Sequence, residues 1–385
     1  MKIFCLYYFF YYLALASYYP YISLILDEKG IRLAQIGVIL SVWAFVSVFS
    51  QPIMGLISDR LRDRRMVLII ATFISPIVAY GFYFSGRFTD LLVVAVLFSW
   101  FQSSTSPLSD ALTIETCSQK GVTFGRIRLW GALSYAICTL VSGLVYKKIG
   151  YNRSFFVYFA LSFIVFFILW FIPKQSSSRM RTTFFNQSKI VFFHKKFLMF
   201  SFACFLIMMS ASINSSYLPI HFSEMGFDKG WIGAAFSVAA FIEVPMFWLS
   251  DRLNRRFGGS IMLRAAAILY AVKYLVFFLC HNVYLIIAAQ LLDGVSFAFY
   301  ASNSVEMVDD FSGSDNKASF QTIFASLTYG LGGIIGAAIG GIIIDLSSTT
   351  HLYFVLVLFC FSGFVLLSMK RLTSDSLPKK ESFNG

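Results

Sequence analysis

Twelve stretches of mostly apolar residues, each close to the length of a membrane-spanning helix, follow one another along this chain of 385 residues. A helix needs about 20 residues to cross the ~30 Å hydrocarbon core of a bilayer. Only 13% of the residues are charged, against about a quarter in an average soluble domain. The predicted spans are 3–26, 34–57, 66–85, 91–114, 125–147, 152–173, 198–222, 231–249, 260–280, 283–306, 318–344 and 351–369. The sequence therefore predicts an all-α membrane protein.

Lys and Arg residues are unevenly distributed between the two sets of connecting segments. With both termini on one side, 23 of the 31 Lys and Arg residues fall on that side and seven on the other. Cytoplasmic loops carry such an excess, so we expect a multi-pass protein of the cell membrane with both termini in the cytoplasm. The same rule explains the net charge of +12, and we expect no nucleic-acid partner.

Two parts of the chain repeat each other. The tetrapeptide SDRL occurs at 58–61 and again at 250–253, and the segment 30–45 can be aligned with 226–241 at nearly the same offset. Six spans separate the copies. Because six is even, both copies cross the membrane in the same direction, which is the parallel-repeat arrangement of one transporter architecture.

The repeat predicts a division into two bundles. We expect an N-terminal six-helix bundle at 1–173, a basic cytoplasmic linker at 174–197, a C-terminal six-helix bundle at 198–371 and a cytoplasmic tail at 372–385. Substrate would bind at mid-depth between the two bundles.

Residue patterns that form metal, redox or phosphate sites are not found in the sequence. The six Cys form no CxxC pair and the four His do not cluster. No GxxxxGK[ST] phosphate loop occurs, so ATP is not expected to act on this chain directly. We expect no metal, no cofactor and no enzymatic activity. Secondary transport is the predicted class, and a membrane sensor or scaffold that moves nothing is the competing one.

Three segments resemble the major facilitator superfamily of transporters. The segment GLISDRLRDRR at 55–65, with a weaker copy at 249–258, resembles the loop motif of that superfamily. The segments DALTIE at 110–115 and FGRIRLWGALSY at 124–135 resemble the branch that contains lactose permease and the phenylpropionate permease-like proteins, which includes nucleoside and oligosaccharide proton symporters. The resemblance covers essentially the whole chain. It implies the major facilitator fold, with twelve helices in two parallel six-helix repeats, and a monomer.

The loop motif and its copy predict a gate at the cytoplasmic face. Gly55 would let the second span approach a neighbour closely, and Asp59 lies near a helix end where Arg side chains can pair with it. The resemblance implies a gating role as well. The alternative is a basic anchor only, which explains the arginines but neither Gly55 nor Asp59. The predicted gating residues of the two copies are Gly55, Asp59, Arg60, Arg64, Asp251 and Arg252.

Charged residues inside spans mark function by default because they are costly to bury. Asp110 lies in the fourth span and Arg128 at the start of the fifth. The resemblance implies that they form the substrate-binding pair, with Asp110 in place of a glutamate, and that Tyr135 stacks on a sugar ring. A guanidinium fork suits hydroxyls or a carboxylate equally. The alternative is a structural ion pair between the two spans.

The charges inside the spans do not balance. Three deep carboxylates, Asp110, Glu243 and Asp293, face two deep bases, Arg128 and Lys273. If Asp110 pairs with Arg128, and Lys273 with Asp293 in one state, one acid remains without a counter-charge, and loss of water favours its protonated form. We predict that this acid is Glu243 and that it carries the coupled proton, with Asp293 as the alternative.

The second half departs from the lactose permease pattern. Lys273 stands where that branch has an arginine, Asp293 replaces a histidine, and Ser296 occupies the position of the proton-releasing glutamate. The sequence therefore predicts a proton-coupled symporter of a small organic solute such as a sugar, a nucleoside or an aromatic acid, working by alternating access. Its expected partners are that solute, the proton and the lipid bilayer. A proton-driven efflux carrier is the alternative direction.

Overall fold

In the computed structural model, residues 1–61, 63–120, 124–172, 194–312 and 317–369 are described, and they form helices and connecting turns without strands. Twelve helices are long and apolar enough to cross a membrane, one for each predicted span. Numbered α1 to α12, they are Lys2–Glu28, Leu33–Leu61, Arg64–Phe84, Phe88–Cys117, Phe124–Ile149, Tyr151–Trp170, Lys195–Glu224, Gly230–Ser250, Gly259–Leu279, Val283–Ser312, Phe320–Leu346 and Thr349–Ser368. The predicted all-α membrane fold is confirmed.

The spans are helical although many of their residues favour strands in water. Phe, Ile, Val and Tyr have only modest intrinsic helix propensity. A bilayer offers the backbone no water, however, so a segment that crosses alone must satisfy its N–H and C=O groups internally, and a helix does so. Several turns between spans use a glycine in the left-handed region, such as Gly150 (φ 93°) between α5 and α6 and Gly258 (φ 87°) before α9.

Three spans are interrupted near the middle of the protein. A 3₁₀ turn at Tyr19–Tyr21 breaks α1, a turn at 103–104 breaks α4, and a π-helical segment at Ser326–Leu331 lies within α11. Such irregularities in a helix are frequent at functional sites. Here they place Tyr19, Ser103 and Tyr329 on the wall of a central cavity.

The spans α1 to α6 and α7 to α12 form two bundles that meet along two helix pairs, α2 with α11 and α5 with α8. Most of the predicted linker and the predicted tail, 174–193 and 372–385, lie outside the described residues. The division into an N-terminal and a C-terminal bundle, joined by that linker, therefore stays a prediction in its exact boundaries.

Both helix pairs are held together by glycines at one face of the protein. A Cβ atom on Gly233 of α8 would lie 2.1 Å from the carbonyl oxygen of Thr139 in α5. A Cβ atom on Gly37 of α2 would lie 2.6 Å from the carbonyl oxygen of Ala337 in α11. Small residues allow helices to approach this closely in membranes. We call this the sealed face; it carries the 225–229 loop, which the charge count assigns to the outside.

Candidate functional site

Between the two bundles lies a cavity with two adjacent compartments, of about 350 Å³ and about 460 Å³. Four residues line both compartments: Tyr19, Ser212, Ser215 and Tyr329. The larger one also contains Glu243 and Asp293, and we call it the acidic compartment. The smaller one has no charged residue in its wall, and we call it the neutral compartment.

Hydroxyl and amide groups supply most of the polar surface of the cavity. In the neutral compartment they come from both bundles, as Ser47, Gln51, Gln102, Ser103, Ser106 and Ser216. In the acidic compartment they include Asn214, Gln290 and Thr328. These groups both donate and accept hydrogen bonds, so the wall suits a solute that carries hydroxyl groups.

Asp110 and Arg128 do not pair directly. The Tyr8 hydroxyl donates to Asp110 Oδ1 at 2.5 Å, and the Arg128 guanidinium lies 4.0 Å from the centre of the Tyr12 ring. Among the described residues, no nitrogen–oxygen contact of 4.0 Å or less joins the two charges. The structural ion pair between the two spans, the alternative drawn from the sequence, is therefore not formed in this conformation, and each charge contacts a tyrosine of α1 instead. The role of Asp110 and Arg128 in substrate binding stays a prediction.

Lys273 and Asp293 form the ion pair expected from the sequence. The Lys273 side chain is fully buried, that of Asp293 is 25% exposed, and the ammonium donates a hydrogen bond to the carboxylate. The ammonium also lies 5.0 Å from the ring centre of Tyr274 and 5.4 Å from that of Phe277, so both rings shield it. A buried charge needs such partners because it has lost its water.

Glu243 is left without a counter-ion, as the charge balance predicted. In the part of the chain that the structure describes, no ion pair within 4.0 Å includes it. The charges that act on it electrostatically are Arg128 of the other bundle and Asp293 of its own. Glu243 lines the acidic compartment and belongs to α8, which packs against α5 of the other bundle, so a change in the relative position of the bundles would change its surroundings.

Tyr135 and Tyr329, related by the sequence repeat, have different positions. Tyr135 of α5 is half-buried and packs against the aromatic cluster of the N-terminal bundle. Tyr329 lies in the π-helical segment of α11 and lines both compartments. The substrate-stacking role of Tyr135 stays a prediction.

The first copy of the loop motif forms an ion-pair cluster within the N-terminal bundle. Arg64 Nη2 lies 3.4 Å from Asp59 Oδ1, and Arg64 Nη1 lies 3.1 Å from Glu115 Oε2 at the end of α4. Arg60 is exposed. A Cβ atom on Gly55 would meet nothing within 4 Å, so the expected close approach of α2 to a neighbour at Gly55 is wrong in this conformation.

Glu115 has a counterpart that sequence analysis missed. Its equivalent in the second half, Glu306, accepts a hydrogen bond from the Asn254 amide next to the second SDRL copy. The Arg252 guanidinium stacks on Trp248, 3.6 Å from its ring centre, and the side chain of Asp251 lies outside the described residues. Each copy of the loop motif ends a span, and the glutamate lies near the end of the second span after it. The sequence repeat could therefore have identified Glu115 and Glu306 as equivalent residues.

Two ion pairs join the bundles at the sealed face, and sequence analysis did not find them. Lys147 at the end of α5 donates to Asp228 in the 225–229 loop. Lys229 Nζ lies 2.7 Å from Glu28 Oε1 at the end of α1. The hydrogen bond from Lys147, followed by that from the Gly230 N–H, holds the pKa of Asp228 below its usual value. Together with the bond from the Ser41 hydroxyl to the Ile334 carbonyl at 2.8 Å, these are the polar contacts between bundles among the described residues.

The chain is similar to known transport proteins along most of its length. A model of the MFS_1 like family matches residues 2–355. The chain is 24% identical over 366 residues to the uncharacterized transporter YwbF of Bacillus subtilis (strain 168), covering 94% of this chain and 90% of that protein. It is 25% identical over 345 residues to a maltose permease of Geobacillus stearothermophilus, covering 89% and 87%. A crystal structure of a mutant nucleoside transporter NupG has the same fold, with a TM-score of 0.87 at 15% identity over 95% of this chain and 98% of that one.

Proposed function

Because this chain belongs to the MFS_1 like family of major facilitator transporters, we propose that it is a proton-coupled symporter of a neutral, hydroxyl-rich solute such as a sugar or a nucleoside. The observation that carries the proposal is Glu243, a carboxyl group without a counter-ion in a cavity whose uncharged polar side chains carry hydroxyl and amide groups. The family and the fold make the chain a multi-pass membrane transporter and not an enzyme. The substrate, the proton coupling, the cell membrane as location and the monomeric state are proposals.

The chemistry of the wall favours a neutral solute over an anionic aromatic acid. Two carboxyl groups, Glu243 and Asp293, line the acidic compartment, while the base Lys273 is already engaged by Asp293. An anion in the acidic compartment would meet two carboxyl groups and, among the described residues, no free base, because Arg128 lines neither compartment. A sugar or nucleoside, in contrast, can hydrogen-bond to Asn214 and the surrounding hydroxyls without bringing its own charge into the membrane.

Glu243 is our choice for the group that carries the proton. Binding of one proton to its carboxylate removes an uncompensated negative charge from the interior of the membrane, which loss of water favours. Release of that proton restores the charge, which Arg128 from the other bundle would stabilise electrostatically. Pro245, two residues further along α8, leaves backbone groups of the helix free and permits bending there.

Alternating access would be a rocking of the two bundles about this cavity. The glycine contacts and the ion pairs close the sealed face in this conformation. With the sides as the charge count assigns them, solute would enter the cavity of this conformation from the cytoplasm. In the opposite state the loop-motif residues would close the cytoplasmic face. Closure of the cytoplasmic face would then rearrange the two ion pairs that Arg64 forms with Asp59 and Glu115.

Uptake into right-side-out membrane vesicles tests the proposal. Radiolabelled maltose, glucose, uridine and phenylpropionate would each be offered with an imposed pH gradient, with and without a protonophore. We expect accumulation of a neutral solute that the protonophore abolishes. Accumulation only in inside-out vesicles would indicate efflux, and neither flux nor exchange of any hydroxylated solute would favour a sensor. Accumulation of phenylpropionate alone would contradict the proposed solute class.

A further inference from the structure

The neutral compartment lies away from every charged residue to which the sequence assigned a role. Its wall is built from α1, α2 and α4 of one bundle and from α7 and α11 of the other. Glu243, Asp293 and Arg128 are not part of it. None of the predicted substrate-binding or proton-coupling residues therefore explains why this space is polar.

Several polar side chains of the neutral compartment are not used to stabilise the fold. The Ser103 hydroxyl bonds to Ser99 and Ser50, and the Ser47 hydroxyl bonds to the carbonyl of Ala44. In contrast, the side-chain amides of Gln51 and Gln102 make no hydrogen bond to another described residue. Gln51 is exposed and Gln102 is half-buried, so the donor and acceptor groups of both amides are accessible from the cavity that they line. Their position in the cavity wall makes a solute a suitable partner.

Aromatic rings complete the wall of the neutral compartment. Tyr11, Tyr19, Trp43 and Tyr329 all line it. Tyr11 is held in place by a hydrogen bond of 2.8 Å to Thr105 of α4. Rings that supply apolar surface beside a small number of directional polar groups are typical of small-molecule sites. This combination suits a ring that is apolar on its faces and bears hydroxyl groups around its edge.

The two compartments together provide more room than one such ring needs. Each has a volume, about 350 Å³ and about 460 Å³, that alone lies within the range of about 300–1,000 Å³ found for complete small-molecule sites. They are adjacent, because Tyr19, Ser212, Ser215 and Tyr329 line both. A solute with two joined units could therefore occupy both compartments at once.

We propose that the neutral compartment is a second binding subsite, which holds an uncharged hydroxylated ring of a two-unit solute while the other unit lies beside Glu243. Gln51 and Gln102 determine the selectivity for the distal ring. This inference rests on the proposed function, because it assumes a neutral hydroxylated solute. In this arrangement, solute recognition and proton coupling use different helices. The distal ring is recognised by α2 and α4, whereas the proton site lies on α8, α9 and α10.

Binding of a two-ring probe and of its single ring tests the subsite. Maltose and glucose would be titrated calorimetrically into the purified full-length wild-type protein, the variant Gln102→Met and the variant Gln51→Met. Methionine keeps the length of glutamine and removes its amide. We expect each variant to bind maltose about fivefold more weakly, the effect of one lost hydrogen bond, and to bind glucose as the wild type does. Uridine and ribose form a second pair of probes.

A matched control comes from the other compartment. Gln290 lines the acidic compartment, and Gln290→Met should weaken maltose and glucose binding by the same factor. Equal effects of Gln102→Met and Gln51→Met on both sugars, or no effect on either, would overturn the subsite while leaving the transport proposal intact. If the wild-type protein binds none of the four probes, the proposed solute class is wrong and the subsite with it. The melting temperature of each variant shows whether the variant is folded. Gln51→Met and Gln102→Met alter different helices, so they test the subsite independently.

Discussion

Lys147 of the N-terminal bundle is ion-paired with Asp228 of the C-terminal bundle, at the face where glycines bring α5 and α8 into contact. Both side chains are partly exposed, at 52% for Lys147 and 39% for Asp228. Exposed pairs contribute about 0–1 kcal/mol each, so this bridge is too weak to hold the bundles together alone. It is suited to biasing an equilibrium between two conformations of similar free energy.

Lys147→Gln is expected to reduce the population closed at the sealed face by up to about fivefold, because the pair contributes at most ~1 kcal/mol. Distances between spin labels placed on the two bundles at this face would measure that population. The adjacent Lys148→Gln is the matched control, since Lys148 is also exposed but forms no bridge to the other bundle in the described structure. An equal shift in both variants would show that net charge, not the pair, is responsible.

The pair also predicts a response to acid. The pKa of Asp228 is lowered in the closed conformation by the bond from Lys147, so its contribution is complete above the usual aspartate pKa of about 3.9. It is lost as the pH falls through the lowered pKa. The contribution of this pair to the closed population should therefore be constant between about pH 6 and 8 and decrease only in strong acid. The same spin-label distances measure the closed population as a function of pH. Asp228→Asn should abolish the decrease in strong acid that the pair causes. A transition near neutral pH that Asp228→Asn removes would contradict the assignment.

Glu243→Gln is expected to abolish accumulation against a gradient and to spare exchange. The amide resembles the protonated carboxyl group permanently, so the carrier can reorient with substrate but cannot release a proton. Uphill uptake and counterflow into the same vesicles would be compared. Asp90→Asn, at an exposed carboxylate in the first turn of α4, is the control and should retain uphill uptake. If Glu243→Gln still accumulates substrate, Asp293 becomes the candidate.

The buried pair of Lys273 and Asp293 predicts an asymmetric effect on stability. Asp293→Asn leaves a fully buried ammonium without its counter-ion, and breaking one partner of a buried pair typically costs about 3–5 kcal/mol. Replacing both partners, as in the double variant Lys273→Met and Asp293→Leu, should recover most of that loss. Thermal unfolding in detergent would show it as a lower melting temperature for the single variant only. Equal destabilisation by both would indicate that packing, not charge, is responsible.

Arg128→Lys tests the predicted role in substrate binding. Lysine keeps the charge but loses the planar fork and its stacking on Tyr12. We expect substrate affinity to fall at least about tenfold, which corresponds to ~1.4 kcal/mol. Equilibrium binding of the transported solute would measure it. Asp110→Asn should weaken binding as well, through the bond from Tyr8. Unchanged affinity in both variants would refute the role of these residues.

Some features of the candidate site could be predicted from the sequence, and others could not. Glu243, Lys273 and Asp293 were recognisable because a charge inside an apolar segment is costly wherever the segment packs. The pairing of Lys273 with Asp293 followed from the same count of charges. The contacts of Asp110 with Tyr8 and of Arg128 with Tyr12 did not, because they depend on how α1 packs against α4 and α5.

The sequence by itself determined the twelve spans, their helical form and the duplication. The free-energy cost of burying polar backbone groups and the gain from placing apolar side chains in lipid are both properties of a single segment. The spans can therefore be predicted without knowing how the helices pack against one another. Only the tertiary structure decided which groups meet. Gly37 lies against Ala337, and Lys147 against Asp228, because helix rotation and close packing bring distant segments together. The neutral compartment likewise exists only where five helices from both bundles meet.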